Sequence, residues 1–265
     1  MAMQARSVVA AAPARIFVCL LGGFRLLKDG APIRLRPGGK TQALLGNLAL
    51  RAVPGLSRDE LLALLWPTTS TALSGQSLNT LVYSVQRALG DALAGRALIL
   101  HDDGRYRLNV DDGVVVDVAE FDAAVEAGDR HSRAAEPTEA AQWYATATDL
   151  YTGDLLFDSE VQHVIERERL RSRYLFARAR LADHEFAAGN VETALEHALA
   201  ILVCDPCRED AHRMAMRSYV RLGERAQAMR QYRLCSSILA REFDAPPEPA
   251  TTELYELIRL DPGQV

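Results

Sequence analysis

Ser57-Arg-Asp-Glu-Leu-Leu-Ala-Leu-Leu-Trp-Pro67, followed after a polar stretch by Ser77-Leu-Asn-Thr-Leu-Val-Tyr-Ser-Val-Gln-Arg-Ala-Leu-Gly90, decides how this chain folds. Ser57 and Glu60 stand three apart just before an apolar run. That spacing lets each side chain satisfy the other's backbone donor, so it predicts a helix start. Leu61, Leu62, Leu64, Leu65 and Trp66 supply the apolar surface of this helix, and Pro67 ends it. A polar loop from Thr68 to Ser74 leads to a further helix, predicted from about Gln76 to Leu89 and closed by Gly90. Its residues Leu78, Val82, Val85 and Leu89 recur at helical spacing and predict one buried stripe. The opposite face carries Gln76, Asn79, Thr80, Tyr83, Ser84 and Arg87, groups able to hydrogen-bond base edges and phosphates. A helix, a short loop and a helix with such a face is the order that a helix-turn-helix reader requires.

Upstream, Ile16–Leu21 reads as a strand interrupted by Gly22-Gly23, and Phe24–Leu27 continues extended. Asp29-Gly30 is a two-residue hairpin signal, and Ile33–Arg36 alternates apolar and basic. A helix from about Lys40 to Ala49 follows, with Leu44, Leu45 and Leu48 on one face. Pro37-Gly-Gly-Lys-Thr41 imitates the end of a phosphate-binding loop, but the position that needs the first glycine is Arg34. It reads as a helix start with Lys40 free to touch DNA phosphate. Downstream, Ala97–Leu100 and Arg105–Val110 predict a hairpin around His101-Asp-Asp-Gly104. A hairpin placed directly after a reading helix is a wing. Arg105 and Arg107 reach for the phosphate backbone, while Asp102 and Asp103 oppose deep insertion of the tip.

The net charge of −5 conceals an asymmetry. Residues 1–110 hold 13 Lys+Arg against 6 Asp+Glu, and residues 111–265 hold 17 against 29. Such a split suggests a module that faces a polyanion joined to one that does not. The apolar stretch after Arg15 is too short to span a membrane and follows the arginine, unlike a signal peptide. The start therefore reads as a loose tail over residues 1–14 of a cytoplasmic protein. Cys204-Asp-Pro-Cys207 has redox or metal spacing, yet no second such pair or nearby CxxH completes a zinc site. These cysteines read as small residues at a helix corner. No metal site and no catalytic group is expected.

Beyond Asp117 the sequence turns helical. Glu120–Ala127 and Thr138–Leu150 are helix candidates, and Trp143, Tyr144 and Tyr151 read as core. From about Arg171 to Phe243 there is an internal repeat: Gly189 and Gly223, Ala194 and Ala228, Leu181 and Ala215, and Ala198 and Tyr232 each recur 34 residues apart. That period is the tetratricopeptide signature. Pro206 falls where such a repeat closes, and Tyr219 where an aromatic fills the gap between helices. His163, His184, His197 and His212 show no convergent ligand spacing and read as surface or groove residues.

The segments Gly38-Gly-Lys-Thr-Gln-Ala-Leu-Leu-Gly-Asn-Leu-Ala-Leu50, Ser57–Pro67, Ser77–Gly90 and Gly104-Arg-Tyr-Arg-Leu-Asn-Val110 resemble, in order, the winged helix of OmpR/PhoB-type regulators. They resemble more closely that of the Streptomyces antibiotic regulatory proteins. Val116-Asp-Val118 with Phe121, Glu166-Arg-Glu-Arg-Leu-Arg-Ser-Arg-Tyr174 and the ending from Glu242 to Ile258 resemble the bacterial transcriptional activation domain of the same family. The resemblance implies a single-unit member, without the ATPase and sensor regions that larger relatives append. It further implies that the Gln76–Arg87 face enters the major groove, that the wing touches the adjoining minor groove, and that Thr68, Thr69, Ser70 and Thr71 touch RNA polymerase. Recognition helices of this family carry several arginines near their end, whereas Arg87 stands alone here.

The expected architecture is an α+β winged helix-turn-helix over residues 15–112, followed by an all-α tetratricopeptide-like domain over 113–262. The expected function is transcriptional activation at promoter direct repeats near the −35 element, with RNA polymerase holoenzyme (sigma and other subunits) and a second protomer on DNA as partners. The target is a secondary-metabolite or pathway-specific operon, with no cofactor, no enzymatic step and no membrane. Two other readings stay open: a protein-binding scaffold with a degenerate winged helix, and a thiol redox protein using Cys204 and Cys207.

Overall fold

The computed structural model describes residues 16–35, 38–51, 54–67, 71–89, 93, 95–155 and 161–265, with only the backbone for 71–75 and 161–162. The expected tail over 1–14 and the loop residues Thr68, Thr69 and Ser70 lie outside these. The chain divides into two compact units, residues 1–120 with 152–159 and residues 121–151 with 160–265. By compactness the first unit runs to Glu120, while the expected domains meet at 112/113.

In chain order the first unit holds β1 (Ile16–Cys19), β2 (Arg25–Lys28), β3 (Ala31–Ile33), α1 (Lys40–Leu50), β4 (Leu56–Ser57), α2 (Arg58–Leu65), α3 (Thr71–Leu89), β5 (Ile99–Asp102), β6 (Arg105–Leu108) and β7 (Val114–Val116). One sheet has the order β3-β2-β1-β7 and the other β4-β6-β5. Both Asp-Gly turns form as the sequence predicts: Asp29 and Gly30, and Asp103 and Gly104, all have positive φ, as a tight hairpin turn demands. The expected capping box is present, with Ser57 Oγ accepting from Glu60 N at 3.2 Å and Glu60 Oε2 accepting from Ser57 N at 2.7 Å. Leu44, Leu45, Leu48, Leu61, Leu65, Leu78, Val85 and Leu89 are all buried in the core of this unit.

Two short strands are absent from the sequence reading. β4 pairs with β6 through Leu56 opposite Tyr106 and Ser57 opposite Arg105. Gly55 makes this possible, because a Cβ there would sit 2.5 Å from the Tyr106 carbonyl oxygen. β7 lies parallel to β1, Ile16 opposite Val114 and Val18 opposite Val116. Its place in the first sheet is why the first unit extends past residue 112. The strand expected over Ile33–Arg36 ends at Ile33. The helix expected from Gln76 begins at Thr71, so the expected Thr68–Ser74 loop is shortened and Thr71 belongs to the helix.

Asp117, at the first position of α4 (Asp117–Arg133), is 2% exposed. Its carboxylate accepts from the backbone N–H groups of Leu20 (2.8 and 2.9 Å), Leu21 (2.9 Å) and Val118 (2.8 Å). Where β1 runs out, Asp117 thus replaces the ladder acceptors that the chain lacks. Burial pushes the carboxyl up to about 6, against the pull of these N–H groups. The second unit adds α5 (Pro137–Leu150), α6 (Val161–Ala187), α7 (Val191–Cys204), α8 (Glu209–Arg221), α9 (Arg225–Phe243) and α10 (Pro249–Leu260). The sequence foresaw α5 closely and α4 too short.

The 34-residue repeat corresponds to α6–α7 and α8–α9. Gly189 and Gly223 close the first helix of each pair, and Ala194 and Ala228 are both fully buried. Tyr219 packs against both resulting clusters, one around Ala198 and Ala215 and one around Met216 and Ile258. Tyr151 stacks on Tyr174 at 4.2 Å, and Tyr232 on Tyr255 at 4.1 Å. Arg169 forks onto Asp122 at 2.9 and 2.7 Å while also gripping Glu166, which ties α6 to α4 within this unit. Tyr144 and Tyr151 are core residues as expected.

Two histidines depart from the surface reading. His163 is buried and His212 is 1% exposed. His212 Nε2 donates to the Pro206 carbonyl at 2.9 Å, and Nδ1 accepts from Gln231 Nε2 at 2.7 Å. Its ring therefore closes the Pro206 corner from inside, and burial holds its pKa below the ordinary histidine value.

Two predictions follow from these buried groups. Asp117→Asn leaves N–H groups facing an amide, so it should destabilise the chain by about 1–3 kcal/mol in urea unfolding at neutral pH. The folded state keeps a proton on Asp117 that the unfolded chain releases from pH 3.8 upward, so this group's contribution falls as pH rises to about 6. The variant should lack that slope; identical curves for variant and parent would contradict the role. His212 has the opposite sign. Unfolding creates a better base, so stability should fall as pH drops below 6.5, and His212→Gln should flatten that decline in thermal melts. An undiminished pH dependence would show that His212 is not its source.

Candidate nucleic-acid interface

The rotation of α3 is set by what it buries. Leu78, Val85 and Leu89 face the core and Val82 is half-buried, as the stripe predicts. Gln76, Asn79, Thr80, Tyr83, Ser84 and Arg87 are all exposed on the other side. The structure brings all six expected reading residues onto one face. Gln86, on the flank, donates to the Ile99 carbonyl at 2.7 Å and fastens α3 to β5, the first strand of the wing.

Within the face, the hydroxyls of Thr80 and Ser84 donate back to the Gln76 and Leu81 carbonyls at 3.0 and 2.8 Å. They present lone pairs outward. Asn79 Oδ1 accepts from Arg58 Nη1 at 2.9 Å, and the same nitrogen lies 3.3 Å from the Tyr106 hydroxyl. The His101 ring stacks on Tyr106 at 4.2 Å and 16°. Arg58 thus joins α2, α3 and the wing, and the sequence reading missed it. A signal existed. A cation in the first turn of a helix opposes the macrodipole, so Arg58 needs a reason other than helix stability.

The cations expected to hold phosphates are less free than the sequence implies. Arg105 Nη1 donates to the Gly55 carbonyl at 3.0 Å and lies 3.6 Å from Glu60. Arg107 sits between Asp102 at 3.6 Å and Asp111 at 3.3 Å. Acids from α2, the wing and the turn after it surround these bases. Lys40 donates to the Leu65 carbonyl at the end of α2 and lies 5.6 Å from the Trp66 ring centroid. The reason is the negative end of the α2 dipole, which attracts an ammonium. Of the expected polymerase-contacting residues, Thr71 opens α3 and the other three lie outside the described residues.

Among the described residues, no group of three or more His, Cys, Asp or Glu could hold a metal, and no helix is long and apolar enough to cross a membrane. Cys204 and Cys207 flank the turn at Pro206, as expected for a corner. Partial desolvation and Asp205 push the Cys207 thiol up, away from the thiolate that redox chemistry needs.

Known proteins share this organisation. The model of the bacterial transcriptional activator domain matches residues 116–259. Transcriptional regulatory protein MoaR1 of Mycobacterium tuberculosis is 25% identical over 222 residues, covering 83% of this chain and 71% of that relative. Regulatory protein DnrI of Streptomyces peucetius is 27% identical over 234 residues, covering 84% and 85%. Among solved structures, Mycobacterium tuberculosis EmbR in complex with a low-affinity phosphopeptide superposes with a TM-score of 0.72 at 22% identity. It covers 94% of this chain and 67% of EmbR, which shows the common fold. The chain belongs to the bacterial transcriptional activator domain family, as a transcriptional activator of the Streptomyces antibiotic regulatory protein type.

Proposed function

We propose that the first unit binds promoter DNA with α3 in the major groove and the β5–β6 hairpin against neighbouring phosphates. The observation that carries this is the partition of α3: one face is locked into the core, and the other presents six exposed polar side chains, Tyr83 among them. Asn79, Thr80, Tyr83 and Arg87 then face bases or backbone, with Gln76 and Ser84 beside them. Arg105 and Arg107 exchange exposed ion pairs for phosphates. Exposed pairs are worth about 0–1 kcal/mol, so a polyanion competes with them readily. Lys40 has donors left over after its carbonyl.

The second unit, acidic by composition, is repelled by the duplex and serves protein contacts. In this reading the chain sits on direct repeats near a −35 element beside a second protomer and recruits RNA polymerase holoenzyme. Thr68–Thr71 and the acidic helices are the surfaces for sigma and other subunits. The regulated genes form a secondary-metabolite or pathway-specific operon in the cytoplasm, and no catalytic step or cofactor is invoked. The neutralised wing arginines favour one other reading, a protein-binding scaffold whose winged helix no longer binds DNA.

Salt dependence separates the two. Binding of the full chain to a promoter fragment should weaken with salt along a shallow slope, because few cations are free. Arg87→Ala should lower that slope by about 0.9, one phosphate contact. Tyr83→Ala should weaken binding while leaving the slope unchanged. Affinity and slope untouched in both variants would remove these residues from the interface. No binding of the parent chain even at low salt would favour the scaffold.

A further inference from the structure

Arg58 fixes what Asn79 can offer to a ligand. A guanidinium has donors only, so its contact at 2.9 Å turns Asn79 Oδ1 toward Arg58 and leaves Nδ2 to meet a ligand. The amide then presents its donor, with one of the two Oδ1 lone pairs already held. Reading adenine requires an acceptor and a donor side by side, for N6–H and N7; with one Oδ1 lone pair held by Arg58, Asn79 favours a base that asks for its donor alone.

Tyr83 lies one helical turn further along the same face, where residues four apart are neighbours. It is 65% exposed, and its ring has no partner among the described residues. The pair therefore offers a donor beside an apolar surface. Thymine is the base whose major-groove edge matches, with the O4 acceptor next to the C5 methyl. Guanine, with two acceptors, calls for a forked donor. Between Gln76 and Ser84 the face holds no arginine or lysine, and Arg87 comes only a turn after Tyr83.

We propose that α3 is a thymine reader, with Asn79 Nδ2 donating to O4, the Tyr83 ring packing on the C5 methyl, and Arg58 positioning the Asn79 amide. This deepens, and rests on, the reading of the first unit as DNA-binding. It defines the specificity of the face in chemical terms: a thymine at its centre, with any guanine contact left to Arg87 at its end.

The probe is a set of duplexes selected by the full chain from a random-sequence pool, then synthesised with thymine or with uracil throughout. Uracil keeps O4 and lacks the methyl. Each lost methyl contact should weaken binding about fourfold, the worth of one buried methyl-sized group. Tyr83→Ala should bind the thymine and uracil duplexes alike. Arg58→Met, with its fold verified by circular dichroism, frees both edges of Asn79 and should move the selected base from thymine toward adenine. Equal affinity of the parent chain for the two duplexes, or selected sites without a shared thymine, would overturn the proposal while leaving DNA binding standing. Selection of thymine by Arg58→Met would remove the positioning role. Recovery of no duplex at all would overturn the DNA-binding reading beneath it.

Discussion

The rotational setting of α3 about its own axis is the constraint on which the rest of the structure depends. Leu78, Val85 and Leu89 are buried on one side, each worth about 2 kcal/mol against exposure. Turning the helix to bury any other face would lose this and place Asn79, Thr80 and Arg87 among leucines, where unpaired polar groups are costly. The surface bonds of the wing are an order weaker. The core therefore chooses which residues face outward, and Gln86 and Arg58 only trim the result by fastening α3 to β5 and Tyr106. The proposed role of this face in reading bases needs such fixity, because a base contact tolerates little misplacement.

Electrostatics then decides how firmly such a face holds. The wing places Arg105 and Arg107 among Glu60, Asp102 and Asp111. Those pairs reduce non-specific attraction to a phosphate backbone and give contacts to bases a larger share of the binding energy. The acidic excess of residues 111–265 acts in the same direction. On the proposed DNA-binding reading, a chain built this way discriminates more than it clings.

What the sequence made legible follows the range of the interaction involved. Ser57 with Glu60, and the two Asp-Gly turns, are bonds between residues within a few positions of each other, and they appear where expected. The helical stripes and the 34-residue repeat are periodic, so they too can be read directly. The remaining features depend on distant partners. β4 and β7 exist only because β6 and β1 lie alongside them. Asp117 matters through Leu20 and Leu21, which are remote in sequence. His212 looked like a surface histidine because nothing nearby announces Pro206 and Gln231 as its partners. The six face residues were legible because a stripe defines its own opposite side; the engagement of Lys40, Arg105 and Arg107 was not, since their acceptors lie on other elements.

The central claim is that the exposed side of α3 meets a polyanion. Ser84 is exposed in the middle of that side and far from the core, so Ser84→Glu adds a negative charge there without disturbing the fold. The most direct measurement is the affinity of this variant for a promoter fragment bound by the parent chain, with Gln142→Glu on α5 as an equally charged control. The account predicts that Ser84→Glu abolishes binding and that the control retains it. Undiminished binding by Ser84→Glu would contradict the account.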